Sequence, residues 1–309
     1  MFISVIIPSY NPSLTILNQA LESLKKQTVS YHFWELIIID NNSSFNIADK
    51  IDLNWHPNSK VIIELQQGLT YARIRGFSES KGDVIIMIDD DNIPGTNYLA
   101  QTKEIFERDE SLGAIGGKAL PLFETAPPVW LNEFKSSLAL RDLGDKSIIE
   151  KWENKYPEAA PLGAGMAIRK KALQSYIKKV SAQKSIITDR LGTSLSSGGD
   201  NDIIIEILKC GWKTGYFPQL ILYHIIPKER LSVRYLAQLL NNSSKSWVEL
   251  LDNHGINPWP RIPEWTIPLR KLKAWFTYKA YKNNINYIKW RGACGTFDGL
   301  SKKAYSNQK

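Results

Sequence analysis

An α/β fold is predicted, with a mostly parallel sheet flanked by helices and a helical C-terminal extension. Three observations predict it. Short β-rich apolar runs alternate with segments of helical spacing, the pattern of βαβ units with right-handed crossovers. The most apolar run, Val84 to Ile88, holds no polar residue and reads as a strand buried on both faces. From Lys228 onward there are fifteen Lys and Arg against five Asp and Glu, a balance of +10, whereas the whole chain carries +8. The expected division is therefore a core over residues 1–227, split into halves 1–95 and 96–227, and a basic extension over 228–309.

The elements follow in order. Phe2–Ile7 is a strand ended by Pro8, and Ser9 to Pro12 is a loop. Leu14 to Lys26 has helical spacing through Leu17, Ala20, Leu21 and Leu24. Leu36–Ile39 and Val61–Glu64 are further strands, and Gly68 to Phe77 is a loop entering a helix. After the Val84 strand come a helix over Tyr98–Arg108 and a glycine-rich strand at Gly113–Gly117. Pro121 to Pro161 is long and irregular, the kind of segment that forms lids or a surface insertion. Leu162–Ile168 reads as a small-residue strand, followed by a helix from Arg169 through Ile177. Ser196 to Asp202 (SSGGDND) precedes an apolar helix that runs to Gly211, and Gly215–His224 is the last strand. In the extension, Leu231–Leu251 is helical, four prolines from Pro258 to Pro268 break it, and Leu269–Trp290 is basic and aromatic.

At 309 residues the chain exceeds one typical domain. Cys210 and Cys294 have no metal-type spacing and suggest no disulfide framework, which fits a reducing cytosol. No signal peptide is read at the N-terminus, and no stretch has the apolar length of a membrane span.

Three strands end in polar loops at one edge of the sheet, with Tyr10-Asn11, Asp40-Asn41 and Asp89-Asp90-Asp91. Ligands of open α/β sheets bind at that edge. Three adjacent carboxylates repel one another, and a divalent cation such as Mg²⁺ or Mn²⁺ relieves this while sharing oxygens with a phosphate. The alternative is a solvated acidic turn starting a helix at Pro94. Asp40 is suited to accept from a base N–H, and Arg73 to reach a diphosphate. Taken singly, each is better explained as a turn residue or surface charge, and it is their joint placement that favours a site. No glycine fingerprint follows the first strand, which argues against a dinucleotide fold and a P-loop.

SVIIPSYN, IIIDNNS, GLTYARIRGF and IIMIDDDN, in that order, resemble the nucleotide-binding half of a family 2 glycosyltransferase of the GT-A fold. The resemblance implies a nucleotide-diphospho-sugar donor, most simply a UDP-sugar, a Mn²⁺ or Mg²⁺ cofactor and inversion at the anomeric carbon. It places the donor nucleotide against Pro8, Tyr10, Asn11, Asp40, Asn42, Gly68, Arg73, Asp89 and Asp90. It makes Asp91, with Asp89, the metal ligands and adds His224, although a lone His is more often structural. Gly163, Ala164 and Gly165 stand where the family approaches its acceptor, and Trp130 is assigned to that side. Asp200 takes the place of the general base. Gly199 stands where the family commonly has Glu, so Asp202 remains the alternative base and simple helix capping the plain one.

The implied acceptor is a glycan or lipid-linked sugar in bacterial surface-polysaccharide synthesis. The implied location is cytoplasmic, with the aromatic, basic extension either at the inner face of the cell membrane or packed on the core. Nucleic acid is not expected, since no recognised module accompanies the basic residues. A sugar nucleotidyltransferase would need a glycine- and arginine-rich loop where PSYNPS stands, and a phosphoribosyltransferase a Thr-Gly after its acids. A non-catalytic nucleotide- or glycan-binding module remains the rival from another class.

Overall fold

The computed structural model describes residues 1–181 and 198–301. Ser196 and Ser197 of the glycine-aspartate segment lie outside them. Ile3–Ser9 (β1), Trp34–Asp40 (β2), Ser59–Ile63 (β3) and Val84–Met87 (β4) pair in parallel in the order β3-β2-β1-β4. Their residues alternate between two cores. Val5, Ile7, Leu36, Ile38 and Ile86 pack beneath Leu14–Lys25 (α1) and Tyr98–Arg108 (α3). Ile6, Ile37, Ile39, Ile85 and Met87 pack against Leu69–Glu79 (α2) and Gly199–Lys209 (α5) on the other face. Strands covered on both faces have no polar side to show, which is why they are continuous apolar runs.

The remaining strands make the sheet mixed rather than mostly parallel. They are Asn92–Pro94 (β5), Leu112–Phe123 (β6), Ile148–Glu150 (β7), Ala167–Arg169 (β8) and Lys213–Ile226 (β9). β8 lies antiparallel between β4 and β6, β6 runs parallel to β9, and β9 holds β5 and β7 antiparallel. Pro94 is thus in a strand and does not open a helix. The Leu162–Ile168 strand begins only at Ala167: Gly165 has φ +78°, a left-handed conformation, and its carbonyl accepts from the Tyr98 hydroxyl at 2.5 Å.

Gln174–Ser181 is α4, preceded by a 3₁₀ turn at Lys170–Leu173. The extension forms Val233–Asn253 (α6), Ile267–Thr277 (α7) and Asn284–Ser301 (α8), so the stretch Leu269–Trp290 is two helices. α6 and α8 approach closely, because a Cβ on Gly295 would lie 1.9 Å from the Asn241 carbonyl oxygen. The irregular region contributes a 3₁₀ stretch, Val129–Leu138, whose Leu131, Phe134 and Leu138 join Leu236 and Leu239 of α6 and Ile288 of α8 in a third apolar core. The extension is therefore packed on the core and shares a core with it.

Candidate functional site

A cavity of about 700 Å³ opens at the carboxyl edge of the parallel strands. β1 brings Pro8, Ser9 and Tyr10 to its wall, α2 brings Arg73, and β4 delivers Asp89, Asp90 and Asp91. Gly68, Gly163, Ala164, Asp200 and His224 also line it. Asn11, Asp40, Asn42, Gly165, Trp130 and Asp202 do not.

The loops after β1 and β2 are fastened to each other. Asn11, at φ 47°, accepts the Ser44 N–H on its Oδ1 at 2.8 Å. The buried Asp40 carboxylate accepts the N–H groups of Ser43 at 2.9 Å and Ile47 at 3.4 Å, which turns it to its own loop and away from the cavity. Asn42, at φ 61°, reaches the Leu65 carbonyl. Asn41, named in the sequence with Asp40 at the end of its strand, lines the cavity instead. It donates to the carbonyls of Glu64 and Gln66 and accepts the Gly68 N–H at 2.7 Å, holding the loop that opens α2.

Sheet register explains the acidic corner. β5 runs antiparallel to β9 with Asn92 opposite His224, and the Ile225 N–H donates to the Asp91 carbonyl at 2.9 Å. His224 Nε2 thereby comes within 3.3 Å of Asp91 Oδ2. Asn92 braces the turn, donating to Asp91 Oδ1 and accepting the Asp89 N–H. Burial, then the charges of Asp91 and Asp89, push the Asp90 carboxyl up to about 7. Arg230 completes the corner, 3.0 Å from Asp91 Oδ2 and 3.2 Å from His224 Nε2. Burial opposes its charge, but Asp91, Tyr235 and Asp90 together outweigh that and raise its pKa.

Asp200 occupies the first turn of α5, after Gly198 at φ 150°. Its Oδ2 accepts the Gly163 N–H at 3.0 Å and its Oδ1 the Asn201 N–H at 2.9 Å. A Cβ on Gly163 would lie 2.9 Å from Asp200 Oδ2 and 3.0 Å from Arg73 Nη2, so a larger residue would displace these side-chain ends. Asp202 faces the other way. It is buried with His254 at 2.6 Å and Lys179 at 2.6 Å, and Lys179 also bonds Glu206 at 3.0 Å. Asp202, Glu206 and His254 are close enough to bind a cation, but the Lys179 ammonium already supplies the positive charge there. His254, without context in the sequence, is thus a partner of Asp202. Trp130 packs edge-on against Phe134 in the third core.

The wall facing the sheet comes from α6 through Ser243, Ser244 and Trp247, with Thr296 of α8. Its one sequence signal was Asn241-Asn242-Ser243-Ser244, a polar cluster inside an otherwise apolar helical pattern. Arg230 had been absorbed into the count of a basic tail.

The mixed sheet flanked by helices, with its cavity at the strand ends, fits the GT-A class that the comparisons support. Residues 4–176 match the family described as Glycosyl transferase family 2, more than half of the chain, and the chain belongs to that family. The glucosyl-dolichyl phosphate glucuronosyltransferase of Haloferax volcanii is 26% identical over 141 residues, 43% of this chain and 43% of its own length. The inactive polypeptide N-acetylgalactosaminyltransferase-like protein 5 of Macaca fascicularis is 23% identical over 235 residues, 73% of this chain and 52% of its own. The chain thus spans about half the length of these curated relatives or less. Among solved structures, S. aureus TarS 1–349 has the same fold, with a TM-score of 0.54 at 14% identity over 97% of this chain and 90% of that one. Its complex with UDP-GlcNAc gives 0.55 at 13% identity.

Proposed function

We propose that the chain is an inverting, metal-dependent glycosyltransferase that moves a sugar from a nucleotide-diphospho-sugar to a glycan or lipid-linked acceptor in surface polysaccharide synthesis. The observation that carries this reading is that Asp89–Asp91 and Asp200 line one cavity from different elements. UDP-sugar donors are favoured because TarS 1–349 was solved with UDP and with UDP-GlcNAc. A lipid-linked acceptor is supported by the relative named for a glucosyl-dolichyl phosphate.

The donor set fits a small divalent cation: Asp91 Oδ2 and His224 Nε2 present a carboxylate oxygen and an imidazole nitrogen 3.3 Å apart at the cavity edge. When bound, Mn²⁺ or Mg²⁺ would offset negative charge on the departing diphosphate. The protein's own groups do the rest. Arg73 and Arg230 on the cavity wall give cationic contacts suited to phosphate oxygens. Asp200, oriented by the Gly163 N–H, accepts the proton of the acceptor hydroxyl as its oxygen bonds to the anomeric carbon. The bond from that carbon to the diphosphate breaks, and its electron pair leaves with the nucleotide.

The rival, a binding module without turnover, draws on the relative named inactive, which matches over 73% of the chain. Incubation with UDP-sugars, with and without Mn²⁺, separates the two. Metal-dependent release of UDP, with inverted anomeric configuration by NMR when an acceptor is present, supports the enzyme. Donor binding by calorimetry with no release of UDP supports the module.

A further inference from the structure

α7 carries its apolar face outward. Trp265, just before the helix, and Leu269, Leu272 and Phe276 recur at steps of four, three and four, the spacing of one helical stripe. All four are exposed, from 56% at Leu272 to 76% at Trp265. The opposite face is the packed one. Ala274 is buried, Trp275 meets Trp290 of α8 edge-on with ring centres 4.8 Å apart, and Lys271 is paired with Asp298 of α8 at 2.7 Å. An ordinary surface helix turns such a stripe inward, so this one is built to be covered.

What covers it must also be negative. Residues 264–282 hold five basic residues, Arg270, Lys271, Lys273, Lys279 and Lys282, against the single acid Glu264. Arg270, Lys273, Lys279 and Lys282 are exposed, and Tyr278 and Tyr281 add exposed aromatic rings beside the stripe. A second copy of the chain would set the same basic residues against themselves. An anionic bilayer offers both complements, a hydrocarbon boundary for the stripe and acidic headgroups for its flanks, and Trp and Tyr are the side chains that sit at that boundary. No helix among the described residues is long and apolar enough to cross a membrane. We propose that α7 lies on the surface of an anionic lipid bilayer, with Trp265, Leu269, Leu272 and Phe276 inserted and the flanking Lys and Arg at the headgroups. The proposal does not depend on the reaction assigned to the cavity.

The test is co-sedimentation of the full chain with phosphatidylcholine vesicles, with and without phosphatidylglycerol. The chain is expected to bind the anionic vesicles and to be released by salt. Leu269→Ser with Phe276→Ser should weaken that binding by at least about tenfold, since each loses much of a buried side chain's transfer energy. Both side chains are exposed, so an unchanged melting temperature verifies the fold. Arg270→Gln with Lys273→Gln and Lys279→Gln should weaken binding to anionic vesicles and leave the weak binding to neutral ones as it was. Equal binding by the wild-type chain and the Leu269/Phe276 variant overturns the proposal, as does no binding at all. A dimer in sedimentation velocity that the same two substitutions dissolve, without vesicle binding, also overturns it and assigns the face to a second copy.

Discussion

Asp200 is held by both oxygens, and each hold leaves a different consequence for substitution. The Gly163 N–H fixes Oδ2 and the Asn201 N–H fixes Oδ1, so the carboxylate's aim is set before any acceptor arrives. Asp200→Asn keeps an oxygen for one of these bonds and loses the base. We expect kcat to fall by about two to four orders of magnitude, with donor affinity by calorimetry unchanged; near-normal turnover would remove Asp200 from the role. Arg230 leads to a less intuitive expectation. If Asp91 and His224 hold a divalent cation as proposed, that cation would compete with the Arg230 guanidinium, which already lies 3.0 Å from Asp91 Oδ2. Arg230→Ala should therefore tighten binding of Mn²⁺ alone, by about tenfold if the relieved repulsion approaches 1.4 kcal/mol, while weakening binding of a nucleoside diphosphate if Arg230 contacts its phosphates as proposed. Titration of Mn²⁺ by electron paramagnetic resonance, without nucleotide, reads the first effect directly. Unchanged or weaker Mn²⁺ affinity would show that the two cations do not compete.

Legibility differed from element to element for physical reasons. β1, β2 and β4 were readable because burial on both faces leaves only apolar residues, and their polar ends could be aligned because parallel neighbours end at one edge. β8, β6 and β9 are distant in sequence, and nothing local specifies that β8 inserts antiparallel between β4 and β6. The meeting of His224 with Asp91 follows from the β5–β9 register and could be expected only through a family resemblance. Asp40 and Asp202 looked like site residues by type, but loop N–H groups and a buried Lys–His pair claim their carboxylates. The basic, aromatic stretch hid a break: Lys279, at φ 50°, and the turn after it separate α7 from α8. α8 in turn shows what its glycines do. The α6 backbone occupies the space a Cβ on Gly295 needs, and a carbonyl in a helix cannot step aside as a flexible side chain would. Gly295→Ala should push α6 and α8 apart and destabilise the fold by about 1–3 kcal/mol, the usual size for overpacking, seen as a lower midpoint in urea. Because α6 carries Ser243, Ser244 and Trp247 to the cavity wall, the same substitution should also raise KM for the substrates bound there. An unchanged midpoint would mean that the helix pair can slide to accommodate the methyl group.

At the scale of the molecule, we propose that the change in charge at Lys228 is a change in composition within one folding unit. Among the ties that cross it, three bear on the core and the cavity. Arg230 pairs with Asp91 at the end of the central strand. Leu236, Leu239 and Ile288 complete the apolar core under Val129–Leu138, beside Ile226 of β9. His254, at the end of α6, is buried against Asp202 of α5, with Lys179 of α4 bonded to the same oxygen. A chain ending at Pro227 would uncover that third core, leave Lys179 to balance Asp202 alone, and remove the wall opposite the sheet. The exposed apolar surface and the broken buried network act together, and each is a mechanism that by itself costs a few kcal/mol. Against a typical total stability of roughly 5–15 kcal/mol, their sum should abolish cooperative folding. We therefore expect the truncated chain to be aggregated or to bind 1-anilinonaphthalene-8-sulfonate, and to lose donor binding altogether, whereas Arg230→Ala in the full chain keeps a cooperative transition. Adding residues 228–309 as a separate polypeptide should restore part of the binding if the loss is one of packing. A truncated chain that unfolds cooperatively at the full-length midpoint would establish residues 228–309 as a separable domain and overturn the single-unit reading.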